Sequence, residues 1–199
     1  MHIDEIVRAD AEATRGSVQV VLEVIPSHLP RPTPCAEWDL RALLAHMTAQ
    51  HRGFAAAARG HGADESAWQP VETDDPVRAY AEAAEDVLLA FAEPGVLERD
   101  FVVPEFGRAF PGRLAVGFHL VDYVVHGWDV ARTIGAEYKP GRDALDAALP
   151  IARAVPDGPD RLKPGAAFAP RVPVPPATDP LDEILRLLGR DPDREDLRG

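Results

Sequence analysis

Apolar residues recur at steps of three and four along most of the chain, which is typical of helices that bury one face. This pattern predicts four long helices, which cover about residues 3–25, 40–59, 76–91 and 113–134. The first is expected to end at Pro26, because proline cannot continue a helix. Four amphipathic helices of this length predict an all-α fold, a four-helix bundle.

Capping and breaking residues stand at the ends of these segments. Asp39 and Asp75 precede the second and third helices, where a carboxylate can accept hydrogen bonds from the first turn. Pro76 suits the first helical position. Gly60 and Gly135 follow the second and fourth helices, where a left-handed residue commonly ends a helix.

The segments outside the four helices are shorter. The stretch VLERDFVVPEFGRAF, before the fourth helix, predicts a small hairpin or an extended loop. After the fourth helix, RDALDAALPIARAV predicts a fifth helix, followed by a proline-rich strap with room for a short strand. A last helix is expected between Asp179 and Gly189, and the final ten residues are expected to fray. We interpret residues 1–139 as the bundle and 140–199 as an extension packed on it.

Composition excludes several classes of partner. The 199 residues carry 33 acids against 21 bases, a formal charge of −12, which repels a nucleic acid backbone. No apolar run is long enough to span a membrane, and the first residues lack the apolar core of a secretory signal. We therefore expect a cytoplasmic protein with no nucleic acid or membrane partner. The single cysteine rules out a zinc site built from cysteines.

The fourth helix carries an unusual polar stripe in the segment FHLVDYVVHGWDVARTI. Its apolar residues cover nearly the whole circumference, which is typical of a helix in the protein interior. His119, Asp122, His126 and Asp129 nevertheless lie within a sector of about 80°. Buried groups of this kind must be paired, hydrogen-bonded or bound to a cation, since desolvating an unpaired charge costs several kcal/mol.

A metal ion would satisfy several of these groups at once. Asp122 and His126 are one helical turn apart and can direct an oxygen and a nitrogen at the same ion. The second helix can supply a further imidazole, and periodicity does not decide between His46 and His51. Asp129 could instead cap or pair with Arg132. His119 could hydrogen-bond to a ligand residue or relay a proton.

Two segments resemble a known family. TPCAEWDLRALLAHMTAQHRGFAAAARG and HLVDYVVHGWDVARTIG are similar to the N-terminal domain of mycothiol-dependent maleylpyruvate isomerase, within the DinB-like metal-binding superfamily. The tail LDEILRLLGRDPD is similar to the end of short actinobacterial members. This resemblance implies a DinB-like four-helix bundle that binds a divalent metal, commonly zinc, through His46, Asp122 and His126. In the characterised isomerase the position of Asp122 is a glutamate, and a separate C-terminal domain follows.

The resemblance also implies an activity. A low-molecular-weight thiol, with mycothiol as the expected cosubstrate, would bind at the open metal position and attack a small electrophilic substrate as the thiolate. We therefore expect a metal-dependent thiol transferase or isomerase, a monomer or homodimer, with His119 or Asp129 as a proton relay. Two alternatives are a non-catalytic metal-binding bundle and an Fe(II) enzyme with two histidines and one carboxylate.

Overall fold

The computed structural model describes residues 4–35, 38–163 and 166–194. Within them the chain forms six α-helices and one two-stranded antiparallel sheet, in this order: α1 (Glu5–Val21), α2 (Leu40–Ala58), α3 (Pro76–Phe91), β1 (Asp100–Val103), β2 (Arg108–Pro111), α4 (Gly112–Ile134), α5 (Arg142–Ala154) and α6 (Pro180–Leu187). The predicted, mostly helical fold class is confirmed. None of the helices in these ranges is long and apolar enough to cross a membrane.

Aspartates begin four of the six helices, and the sequence indicates three of them, Asp39, Asp75 and Asp179. Asp39 accepts a hydrogen bond from the backbone N–H of Ala42 at 2.8 Å, at the start of α2. Asp75 and Asp179 do the same for α3 and α6, each followed by proline at the first helical position. Asp4 caps α1 in the same way. These carboxylates satisfy backbone donors that have no partner inside the helix.

Helices α1 to α4 pack around a shared interior. α1 lies along α4 and also contacts α3, while α2 packs against α3 and α4. The hairpin pairs Phe101 with Phe110 and places both rings in the core beside Phe91. Burial of such side chains, at about 25 cal/mol per Å² of apolar surface, provides the main favourable contribution to folding.

The C-terminal helices pack on the same core. The small residues Ala144, Ala148 and Ala152 form the buried face of α5 and contact α4 residues such as Leu120. α6 adds Ile184 and Leu185 to this cluster. These contacts support the interpretation of residues 140–199 as an extension, and that division of the chain stays a prediction.

The structure departs from the sequence-based expectations at three places. α1 ends at Val21, before Pro26. The backbone N–H groups of Glu23 and Val24 each donate to the carbonyl three residues earlier, so the chain forms a tighter, 3₁₀-type turn there. The described part of the strap contains a 3₁₀ turn (Pro159–Leu162) and no strand. Arg190, the first residue of the end that was expected to fray, is instead buried. The expected helix start at residue 3 and the end of the chain at 195–199 lie outside the described residues.

Candidate metal centre

The polar stripe of α4 divides along the helix axis. His119 and Asp129 are ten residues apart, which is about 15 Å along a helix and too far for one compact cluster. In the structure His119 contacts α1, whereas Asp122 and His126 meet α2 and Asp129 meets the C-terminal tail. The stripe therefore serves two separate sites.

His46, Asp122 and His126 come together as the resemblance implies. One donor atom from each residue lies within 4.8 Å of the donors of the other two. The Nε2 atom of His126 is 3.4 Å from Oδ1 of Asp122, and the imidazoles of His46 and His126 meet edge to face with centroids 5.4 Å apart. Within the described residues this is the one group of three or more such side chains whose donors converge.

The geometry of this triad suits a metal ion. Two donors that each lie about 2.1 Å from one tetrahedral ion are about 3.4 Å apart, the separation between His126 Nε2 and Asp122 Oδ1. Because Nδ1 of His126 is hydrogen-bonded to Asp129, it is Nε2 that faces Asp122. An imidazole lone pair opposite a carboxylate oxygen is stable only if a proton or another cation lies between them.

Asp129 fixes the orientation of His126. Its Oδ2 atom accepts a hydrogen bond from Nδ1 of His126 at 2.9 Å and another from Arg190 at 3.0 Å, and its side chain is fully buried. Burial alone would raise the pKa of Asp129, but Arg190 and His126 outweigh burial and keep this pKa below its ordinary value. Asp129 is thus a buried carboxylate anion, and second-layer partners of this kind orient metal-binding histidines.

Arg190 is the component of the site that sequence reasoning missed. It pairs with Asp129, where the sequence offered Arg132 instead. Its side chain is 6% exposed, and it follows Gly189, a left-handed residue just after the C-cap of α6. Burial opposes its charge, yet Asp129 holds the pKa of Arg190 above the ordinary value. The resemblance of the tail to short family members was a signal that the tail is ordered. The many charged residues of the last ten positions instead favoured a frayed end.

The surroundings of His46 favour its neutral form, the form needed in a metal ligand. Burial is the largest cause that lowers its pKa, to about 4; neighbouring His126 adds to this effect, whereas Asp122 opposes it. The indole of Trp38 packs against the imidazole with centroids 4.4 Å apart. Near neutral pH the ring is therefore uncharged, the form in which histidine binds a metal.

His51 and His119 belong to a different, fully buried cluster. Nδ1 of His51 is 3.0 Å from Nε2 of His119, whose Nδ1 is 2.6 Å from Asp10 on α1. His51 also stacks on the ring of Tyr123, with centroids 3.9 Å apart. The structure thus places His46, rather than His51, beside Asp122 and His126. The described contacts of His119 do not include the triad.

Comparison with known proteins gives a consistent family. The family model of the mycothiol maleylpyruvate isomerase N-terminal domain matches residues 11–131. Two uncharacterized proteins of Mycobacterium tuberculosis, from strains CDC 1551 / Oshkosh and ATCC 25618 / H37Rv, are each 30% identical over 182 residues. The alignment covers 92% of this chain and 96% of each relative.

Two solved structures of mycothiol-dependent maleylpyruvate isomerase have the same fold. A histidine-to-alanine variant gives a TM-score of 0.59 at 11% identity, over 79% of this chain and 75% of its own. A second structure gives 0.53 at 14% identity, over 74% and 68%. At these identities the likeness shows the fold alone.

Proposed function

The chain belongs to the mycothiol maleylpyruvate isomerase N-terminal domain family, and from its site we propose that it is a thiol-using transferase or isomerase that depends on a divalent metal. His46, Asp122 and His126 would hold the metal, with zinc as the expected ion. The thiol would be mycothiol, as in the name of the family, and the second substrate a small electrophile. The isomerase in the name of the family is one of the two enzyme classes that we propose.

One observation carries the proposal. Donor atoms from α2 and α4 converge within 4.8 Å, and they are two imidazoles and one carboxylate. Three protein ligands leave a tetrahedral ion with one open position, which is typical of catalytic rather than structural zinc sites. A ligand set completed by a fourth side chain would instead favour a purely structural ion.

The bound metal would supply a positive charge that favours the deprotonated form of a thiol at the open position. The other contributions come from the chain. Asp129 and Arg190 keep Nε2 of His126 directed at the site. Trp38 packs against the ring of His46 and helps to hold it in place. Proton transfer is not assigned to His119, because its described contacts lie in the other buried cluster.

Cobalt substitution tests both parts of this proposal. Metal-free protein is titrated with Co²⁺, and the visible spectrum reports coordination at the site. We expect one ion per chain, and a new sulfur-to-cobalt absorption band on addition of mycothiol. The His126→Ala variant should lose both signals, whereas His61→Ala, at an exposed histidine, should keep them.

The two outcomes that oppose the proposal differ. Native protein that binds no Co²⁺ would exclude the metal site. A cobalt protein whose spectrum does not respond to mycothiol or to simpler thiols would exclude the thiol chemistry and favour a non-catalytic metal-binding protein. A positive spectrum leads to assays of thiol transfer and of cis-trans isomerisation with small electrophiles.

A further inference from the structure

A pocket of about 340 Å³ opens between α2 and the two turns that follow α2 and β1. Among the described residues, its walls come from α2, the 3₁₀ turn Glu65–Trp68 and the turn Pro104–Phe106. Gln50 lines it from α2, four residues after His46, so the two side chains project from the same side of the helix one turn apart. The pocket is therefore next to the triad along α2.

The other side of the pocket is next to the triad along α4. Phe106, in the turn that contributes Glu105, packs on Phe118 with ring centroids 5.9 Å apart. Phe118 precedes Asp122 by one turn of α4. Although Glu105 remains exposed at the rim, neighbouring protein atoms desolvate its carboxyl group and, together with the charge of Asp122, raise its pKa. Asp122 and Glu105 are thus electrostatic neighbours.

The pocket lining has a clear chemical character. The six lining residues are Gln50, Glu65, Trp68, Gln69, Pro104 and Glu105. They include two carboxylates and two amides but no lysine or arginine. The indole N–H of Trp68 is already donated to the backbone carbonyl of Gly62, so this residue contributes mainly an apolar ring. Arg190, the buried cation near the triad, is paired with Asp129.

We propose that this pocket selects for charge: it accepts a ligand that is neutral or cationic next to the metal-binding atom and disfavours carboxylates. Glu65 and Glu105 are the specificity-determining residues. A carboxylate placed here would be repelled by both and would find no basic partner in the pocket lining, whereas hydroxyl or ammonium groups could bind to the carboxylates and amides. The inference rests on the proposed function, because the ligand must be held at the triad.

The inference also concerns substrate class. Maleylpyruvate, the substrate in the name of the structural neighbours, is a dicarboxylate. A pocket lined by two glutamates is a poor site for such an anion. The second substrate of this chain is then an electrophile that is uncharged or positively charged near its reactive carbon.

Three thiols that share a two-carbon spacer test this selectivity in the cobalt protein. Thiocholine is a permanent cation, 2-mercaptoethanol is neutral and 2-mercaptoethanesulfonate is a permanent anion. Each dissociation constant is expressed per thiolate, because the three thiols differ in acidity. On that scale we expect thiocholine to bind about tenfold more tightly than the sulfonate, which is the size expected for charges several ångströms apart near a protein surface. 2-Mercaptoethanol should lie between them. Dissociation constants come from the sulfur-to-cobalt absorption.

Charge-neutralising variants show whether the pocket is the cause. The double variant Glu65→Gln, Glu105→Gln should lower the preference for thiocholine over the sulfonate at least about threefold. Glu85→Gln, at an exposed glutamate of α3 that does not line the pocket, should leave the preference unchanged. Circular dichroism and the cobalt content of each variant verify that the fold and the metal site are intact.

The failures are distinguishable. A protein that binds no cobalt contradicts the proposed function itself. Equal affinity of the cobalt protein for the three thiols would overturn the pocket inference but not the proposed metal site. The same conclusion follows if the double variant and Glu85→Gln alter the preference equally. Tighter binding of the sulfonate than of thiocholine overturns it as well.

Discussion

Asp129 links the candidate metal centre to the segment that follows α6. Its buried carboxylate accepts hydrogen bonds from both His126 and Arg190, so the orientation of one ligand depends on a residue 61 positions further along. A carboxylate partner also makes the imidazole a stronger ligand, because it stabilises positive charge on the ring. The negative charge of Asp129, and not only its shape, should therefore affect metal affinity.

The Asp129→Asn variant tests this effect of charge. Asparagine can still accept the hydrogen bond from Nδ1 of His126, but it carries no charge. We expect zinc affinity to fall by about tenfold to a hundredfold, as measured by competition with a chromophoric chelator. Asp143→Asn, at an exposed position in the first turn of α5, is the matched control and should leave affinity unchanged. Equal affinities for the native and Asp129→Asn proteins would contradict this role.

The second buried cluster should make stability depend on pH. Burial, followed by the proximity of His119, holds the pKa of His51 well below its ordinary value of 6.5. The unfolded chain therefore binds more protons than the folded chain below pH 6.5, and the stability due to neutral His51 is lost as the pH falls. The groups that face it are His119, Tyr80 and Tyr123, with Asp10 behind His119.

Urea unfolding of the metal-free protein between pH 7 and pH 5 measures this dependence. The free energy of unfolding should decrease as the pH falls, by up to about 1.4 kcal/mol per pH unit for each such histidine. His51→Gln keeps polar atoms in the core and should reduce the slope of the unfolding free energy against pH. His61→Gln, on the surface, should not change it. A slope that is unaffected by His51→Gln would show that this residue is not the buried titrating group.

At the scale of elements, Gly53 sets the contact between α2 and the turn that carries Trp68. A Cβ atom at Gly53 would lie 2.2 Å from two ring atoms of Trp68, so the ring rests directly on the helix backbone. The ring is also held by its hydrogen bond to Gly62. Since Trp68 lines the pocket, the glycine positions one of the pocket walls.

Two glycine-to-alanine changes should therefore have opposite effects. Gly16, inside α1, has only an ordinary contact at 3.8 Å, so Gly16→Ala should stabilise the protein by up to about 1 kcal/mol through helix propensity. Gly53→Ala should destabilise it by about 1–3 kcal/mol, because the tryptophan must move. Urea unfolding measures both. In a Trp68→Ala background the cost of Gly53→Ala should disappear, and an unchanged cost would refute the steric explanation.

Local signals predicted some elements well and others poorly. Asp75 and Pro76 begin α3, and its last residue is Phe91, as capping and periodicity indicate. Gly135 ends α4 in the left-handed conformation expected for that position. The end of α1 was predicted too late, since the apolar pattern continues to residue 25 while the backbone has already left the helix at Val21. Leu22 and Ile25 continue the apolar spacing but are exposed, so spacing alone does not mark the end of the helix.

At the scale of the whole molecule, the site depends on contacts that periodicity does not encode. The pair Asp122 and His126 could be recognised within α4, because one helical turn joins them. The choice of His46 over His51 depends on how α2 rotates against α4, and it came from family resemblance. The partnership between Asp129 and Arg190 joins α4 to a tail whose sequence favours disorder, so it could be seen only in the folded chain.

The central claim is that one divalent ion is bound by His46, Asp122 and His126. The most direct test is the metal content of the native protein and of His46→Ala, His126→Ala and His51→Ala, each purified and then reconstituted with zinc. The account predicts one zinc per chain in the native and His51→Ala proteins and loss of the metal at His46 and His126. A native protein that stays metal-free after reconstitution, or one that loses its zinc only when His51 is changed, would contradict it.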